Sequence, residues 1–198
     1  MRYISIIFFG LLFVGCSATK VAVTEYKISA NLNLKKSMSK SFQTKSLKIS
    51  KCFSSNKLKT LNMNYMQGKS KVYSYSQSIW SESPNEAITS EVLKMLRDKQ
   101  IFKSVQSSKS RVKSDLVLEI TMDKFIQSFD NELKNSYADI ALNFSLIDAK
   151  TNKVITSKNF KAKYISNTPD ANGGVEALNK ALNKVLIDSE NWFEEIAK

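Results

Sequence analysis

Histidine is missing from the 198 residues of this chain. That absence removes the commonest general base and the commonest metal ligand together. Cysteine occurs only at Cys16 and Cys52, too few thiols for a zinc cluster. Glycine and proline are scarce, at five and two residues, which argues against a disordered or fibrous chain. A Gly-rich phosphate loop, an internal repeat and a nucleophile motif are missing as well. The expectation is a protein with no catalytic residues, no cofactor and no metal, and therefore not an enzyme.

Acidic residues are almost lacking from the first third. Lys20 to Lys71 holds 12 lysines and one acid, Glu25, whereas Glu82 to Lys198 holds 17 basic and 17 acidic residues. The net charge of +12 is thus concentrated near the start of the chain. Two readings of this stretch stay open. Its lysines either decorate edge strands and discourage edge-to-edge pairing, or form a cationic face held against anionic lipid head groups.

A long apolar run is also lacking. Tyr3 to Val14 would make about 18 Å of helix, short of a hydrocarbon core of roughly 30 Å. Behind the single charge of Arg2, this run reads as a secretory signal peptide over residues 1–15. The export it implies makes nucleic acid an improbable partner despite the charge. The residues "FVGC" that close the run resemble a bacterial lipobox, with Gly15 directly before Cys16. In such signals the cysteine thiol receives a diacylglycerol, and cleavage leaves the lipidated cysteine as the first residue. The resemblance implies a lipid-anchored, palmitate-bearing N-terminus over 16–20. Ser17 in place of aspartate implies an outer-membrane lipoprotein facing the periplasm. Cys52 would then have no disulfide partner and is read as a small buried residue in a strand.

What is present is a set of amphipathic segments. "VAVTEYKIS" (21–29) and "SLKIS" (46–50) read as strands, with a loop over 31–45. Residues 61–75 read as a hairpin about Gly68. In "SPNEAITSEVLKMLRDK", Ser83 and Glu86 form an S-x-x-E capping pattern with Pro84 at the first helical position. Ile88, Val92, Met95 and Leu96 then share one face, which predicts a helix over 84–99. Leu116, Leu118, Ile120 and Met122 alternate, as do Ala138, Ile140, Leu142, Phe144 and Leu146. Phe160, Ala162 and Tyr164 follow, which predicts an antiparallel meander with one buried face. From Gly174 onwards Val175, Leu178, Leu182, Val185, Leu186, Trp192, Phe193 and Ile196 line one face of a last helix. Asp188, Glu190, Glu194 and Glu195 read as solvating charges on its exposed side.

The expected architecture is a single α+β domain over 21–198. It has two layers: a largely antiparallel sheet of about five to six strands, with two amphipathic helices packed on one face.

The segment "VYSYSQSIWSESPNEAITSEVLKML", with its strand leading into Trp80, then Pro84 and the Ile88–Leu96 face, resembles the ABC-type transport auxiliary lipoproteins. These are the PqiC-like, MCE-associated bacterial lipoproteins, and the likeness continues into "VEALNKALNKVL". The resemblance implies an accessory lipoprotein of an MCE-type ABC transport system, moving lipids or other hydrophobic material between bacterial membranes. Its partners would be the membrane, an MCE-type protein, the ABC permease and ATPase, and copies of itself. Trp80 and Pro84 are candidates either for partner binding or for packing at the strand-to-helix junction. The other class of function considered is an envelope assembly lipoprotein, serving lipopolysaccharide or outer-membrane proteins.

Overall fold

The computed structural model describes residues 21–32 and 41–197. Along them run β1 (Thr24–Tyr26), β2 (Ser46–Ile49), β3 (Phe53–Ser54), a 3-10 turn (Asn56–Lys59), β4 (Asn62–Gln67) and β5 (Lys71–Trp80). There follow α1 (Pro84–Lys99), β6 (Ser104–Ser107), β7 (Leu116–Phe129), β8 (Ser136–Asp148), β9 (Lys153–Ile165) and α2 (Ala171–Ile196). The signal peptide and Cys16 expected from the sequence lie outside the described residues.

β7 organises the sheet by using both of its edges. On one edge, three segments dock in turn, all parallel to it. Leu47–Ile49 lies against Leu116–Leu118, Phe53–Ser54 against Thr121–Met122, and Tyr65–Gln67 against Gln127–Phe129. The 3-10 turn carries the chain away from β7 between the second and third of these contacts. The other edge pairs with β8 along its length, and β8 with β9, both antiparallel. β6 adds to β2, β5 to β4, and β1 to β5.

This is the α+β class expected, with the meander and both helices where the patterns put them. The sheet is larger and differently paired. Among the described residues it has nine strands rather than five to six. Five of its eight pairings are parallel, so it is mixed rather than largely antiparallel. The additional strands β1, β3 and β6 are 3, 2 and 4 residues long, too short to show an alternation. Their direction is set by partners far away in sequence.

Both helices lie side by side on one face of the sheet, where Ser189 of α2 meets Met95 of α1. The predicted inward residues of β7 and β8 are buried, together with Ile88, Val92, Met95 and Leu96 of α1. Leu178, Leu182, Val185, Leu186 and Phe193 of α2 close the core, while Ile196 is only partly buried. Tyr164, expected inward, is exposed near the end of β9.

The phase of β7 changes once. Met122 faces Leu142 and Lys124 faces Ala141, leaving Asp123 as an extra residue in a β-bulge. Inward positions are even-numbered up to Met122 and odd-numbered from Phe125 to Phe129. At the start of α1 the capping pattern is used differently from expectation. The Ser83 hydroxyl donates to the Glu86 carboxylate at 3.1 Å, and that carboxylate also receives Lys51 at 2.8 Å. α1 ends at Gln100, which adopts the left-handed conformation with φ 57°. α2 is capped by Asp170, whose side chain accepts the Gly173 amide at 2.8 Å.

Candidate functional site

Trp80 ends β5 and is held by its neighbours. Its strand pairs with β1 through Tyr26, and its indole packs edge-on against Phe125, with centroids 5.8 Å apart. At 4% exposure, the ring is turned into the core at the strand-to-helix junction. Pro84 follows, also buried, at the first turn of α1. Both side chains are buried in the folded domain.

Cys52 forms no disulfide among the described residues and is buried. Its amide donates to the Thr89 hydroxyl at 2.9 Å. Burial pushes the thiol up to about 12, against the weaker pull of a backbone hydrogen bond at Met122. A thiol held so largely protonated is a weak nucleophile near neutral pH. Among the described residues no group of three His, Cys, Asp or Glu side chains could hold a metal ion.

Glu190 and Glu194 do not behave as solvating charges. Both converge on Lys99 of α1, Glu190 in a short ion pair and Glu194 at 3.3 Å. The Lys99 and Glu190 side chains are only 10% and 12% exposed, so this pair locks the two helices together. Burial works against the charge on Lys99. The hydrogen bonds and negative charges of Glu190 and then Glu194 prevail, and hold its pKa above the ordinary lysine value.

A second polar cluster sits where α2 meets the sheet. The Tyr75 hydroxyl donates to Gln127 Oε1 at 2.8 Å. Gln127 Nε2 in turn donates to Ser136 Oγ at 2.9 Å and to the Asp170 carbonyl at 3.0 Å. Tyr65 stacks on Tyr73 and leans on Tyr75 and Phe129 beside it. Burial raises the pKa of Tyr75, with smaller electrostatic contributions from Tyr65, Asp170 and Tyr26. These bonds satisfy a buried amide and fix the point at which α2 lands. The one local sign of this cluster is a glutamine at an inward position, and the bulge at Asp123 conceals that position from a simple alternation.

Among the described residues the lysines of the first third are spread over turns, strands and the segments between them, with Lys48 inside β2. Lys57 and Lys59 lie in the 3-10 turn, Lys69 and Lys71 at the β4–β5 hairpin, and Lys45 and Lys51 on either side of β2. The long open edge is β9, which among the described residues pairs with β8 alone. It carries Lys153, Lys158, Lys161 and Lys163 and no acid. Val154, Ile155 and Ile165 are exposed on it, Ile165 at 83%. An open edge of 13 residues offers a row of backbone donors and acceptors to a further strand, with lysines restraining indiscriminate pairing.

A mixed sheet backed by two helices, with an open lysine-bearing edge, defines a small α+β domain. The chain belongs to the ABC-type transport auxiliary lipoprotein component family, whose sequence model matches residues 26–188. It is therefore an envelope lipoprotein of the ABC transport auxiliary class. A crystal structure of a protein from Xanthomonas campestris is similar, with a TM-score of 0.77 at 18% identity over 88% of this chain and 96% of that one. A second crystal structure, of an uncharacterised protein, gives 0.63 at 12% identity over 88% of this chain and 99% of the other. At these identities the likeness shows the fold alone. No curated protein matches the chain by sequence.

Proposed function

We propose that this protein is a non-enzymatic accessory lipoprotein of an MCE-type ABC transport system that moves lipids or other hydrophobic material between bacterial membranes. Cys16 anchors it, in the outer membrane facing the periplasm, and the domain acts by binding protein partners. The observation that carries this reading is the family match across residues 26–188. The open β9 edge supports it by supplying a surface of the kind that accepts a strand from another chain.

A photoreactive amino acid at exposed Ile165, introduced in the parent cell, tests the partner. Trapping of an MCE-domain protein or of the ABC permease is expected. Trapping only a lipopolysaccharide or outer-membrane-protein assembly factor would replace this reading with the assembly class.

A further inference from the structure

The register of β9 fixes which of its backbone groups face the open side. The Ser166 amide donates to the Ser136 carbonyl at 2.9 Å, and Tyr137 to Leu146 then pair with Ile165 to Thr156 in unbroken order. Facing residues of an antiparallel pair alternate between exchanging both backbone bonds and exchanging none. Tyr164, Ala162, Phe160 and Lys158 therefore bond to β8. Ile165, Lys163, Lys161, Asn159 and Ser157 turn their N–H and C=O groups the other way, where among the described residues no strand lies.

The side chains along this edge decide what kind of strand fits it. β9 carries Lys153, Lys158, Lys161 and Lys163 and no acid. Lys163 is engaged by Asp139 at 3.8 Å. Lys153, Lys158 and Lys161 are exposed, and among the described residues no ion pair holds any of them. Asp148 stands opposite Lys153 in the register, but its Oδ1 is taken by the Lys150 and Thr151 amides and the Thr151 hydroxyl. A second copy of β9 would set these lysines against their equals, and like charges facing across a strand pair are destabilising. The chain's own stretch 33–40 holds Lys35, Lys36 and Lys40 and no acid, so it meets the same repulsion. A bare polyanion would satisfy the lysines and leave the backbone row to water. An extended acidic segment satisfies both. Its main chain continues the ladder, and its carboxylates take charge-assisted bonds from the three lysines outside any ion pair.

We infer that β9 takes up an extended acidic segment of a different protein as a further strand of the sheet, with carboxylates beside Lys153, Lys158 and Lys161. The inference deepens the accessory-lipoprotein reading and rests on it for the source of the partner.

The test uses the full lipidated chain in detergent micelles and three peptides as long as β9, 13 residues. The first is built from glutamate, valine and threonine, and the second has lysine for each glutamate. The third is the first N-methylated at consecutive residues, which keeps its charge and removes its backbone donors. Binding is read by fluorescence anisotropy and by amide exchange at single residues. The acidic peptide is expected to bind at least tenfold more tightly than either of the others. It should slow exchange at Ser157, Asn159, Lys161, Lys163 and Ile165 at least tenfold, and leave Lys158, Phe160 and Ala162 unchanged. The triple substitution Lys153→Glu, Lys158→Glu, Lys161→Glu should lose the acidic peptide and gain the lysine one. Slow exchange at Phe160 and Ala162 in that variant shows that β9 is still in place.

Equal binding by the N-methylated peptide makes the contact one of charge alone and overturns the inference. Binding without the alternating protection, or a triple variant that keeps its affinity, does so as well. Protection of the open amides that rises with protein concentration, with no peptide present, puts a second copy on the edge and also overturns it. The protein captured through Ile165 in cells is scored separately, so the transport reading stands or falls whatever the peptides show.

Discussion

Gly174 lies so close to the Gln127 side chain that a Cβ at position 174 would sit 2.0 Å from its Oε1. The glycine lets the first turn of α2 rest on a carboxamide that is itself bonded to Tyr75, Ser136 and the Asp170 carbonyl. Gly174→Ala is therefore expected to push Gln127 out of its bonds and destabilise the domain by about 1–3 kcal/mol, the cost of overpacking and of a stranded polar group. The gain in helix propensity, up to about 1 kcal/mol, offsets part of this. Urea midpoints measure the effect. Adding Gln127→Ala to Gly174→Ala should recover some of the loss, and strict additivity of the two would show that the clash does not matter.

The Lys99 bridge has a pH signature. Because the folded pKa is raised above the ordinary 10.5, its contribution is complete below that value. It is lost as pH rises through the higher folded value. Unfolding free energy of the parent should thus fall more steeply above pH 10.5 than that of Lys99→Met. At pH 8 the substitution should cost about 2–4 kcal/mol, somewhat less than a fully buried pair. Parallel pH profiles for the two proteins would remove the bridge from the account.

Cys52 should be silent to thiol reagents. With the thiol at about 12, the thiolate fraction at pH 8 is about one part in ten thousand. A chain starting at residue 21, whose one cysteine is Cys52, should react with dithionitrobenzoate only as fast as it unfolds. Prompt stoichiometric reaction in the native state would contradict the burial.

The anchor is testable without any partner. Cys16→Ala should abolish metabolic labelling with palmitate and release the protein from the membrane fraction. Persistent labelling would mean that the lipobox reading is wrong.

Local patterns carried most of the fold. The faces of α1 and α2 and the alternations of β7 to β9 are each written within one segment, and burial followed them. What escaped was set by distance along the chain. The parallel docking of β2, β3 and β4 on β7 depends on residues far downstream. Glu190 and Glu194 looked like surface charges because Lys99 lies about ninety residues away. The bulge at Asp123 reverses the phase of β7 and turns Ile126 outward, a change that a simple alternation does not show. Trp80 and Pro84, legible as a motif, proved to be interior residues, and the open β9 edge lies elsewhere.

The position of β7 as the common spine also governs the order in which the domain can be made. Ser46 bonds to Asp115, 69 residues later, and β3 and β4 wait for the same late strand. A nascent chain has therefore produced β1 to β6 before the strand that joins them exists. Non-local pairing of this kind slows folding and leaves apolar strands without partners meanwhile. The described lysines around β2 to β5 give those waiting segments charge of one sign, which disfavours their pairing with one another before β7 is available.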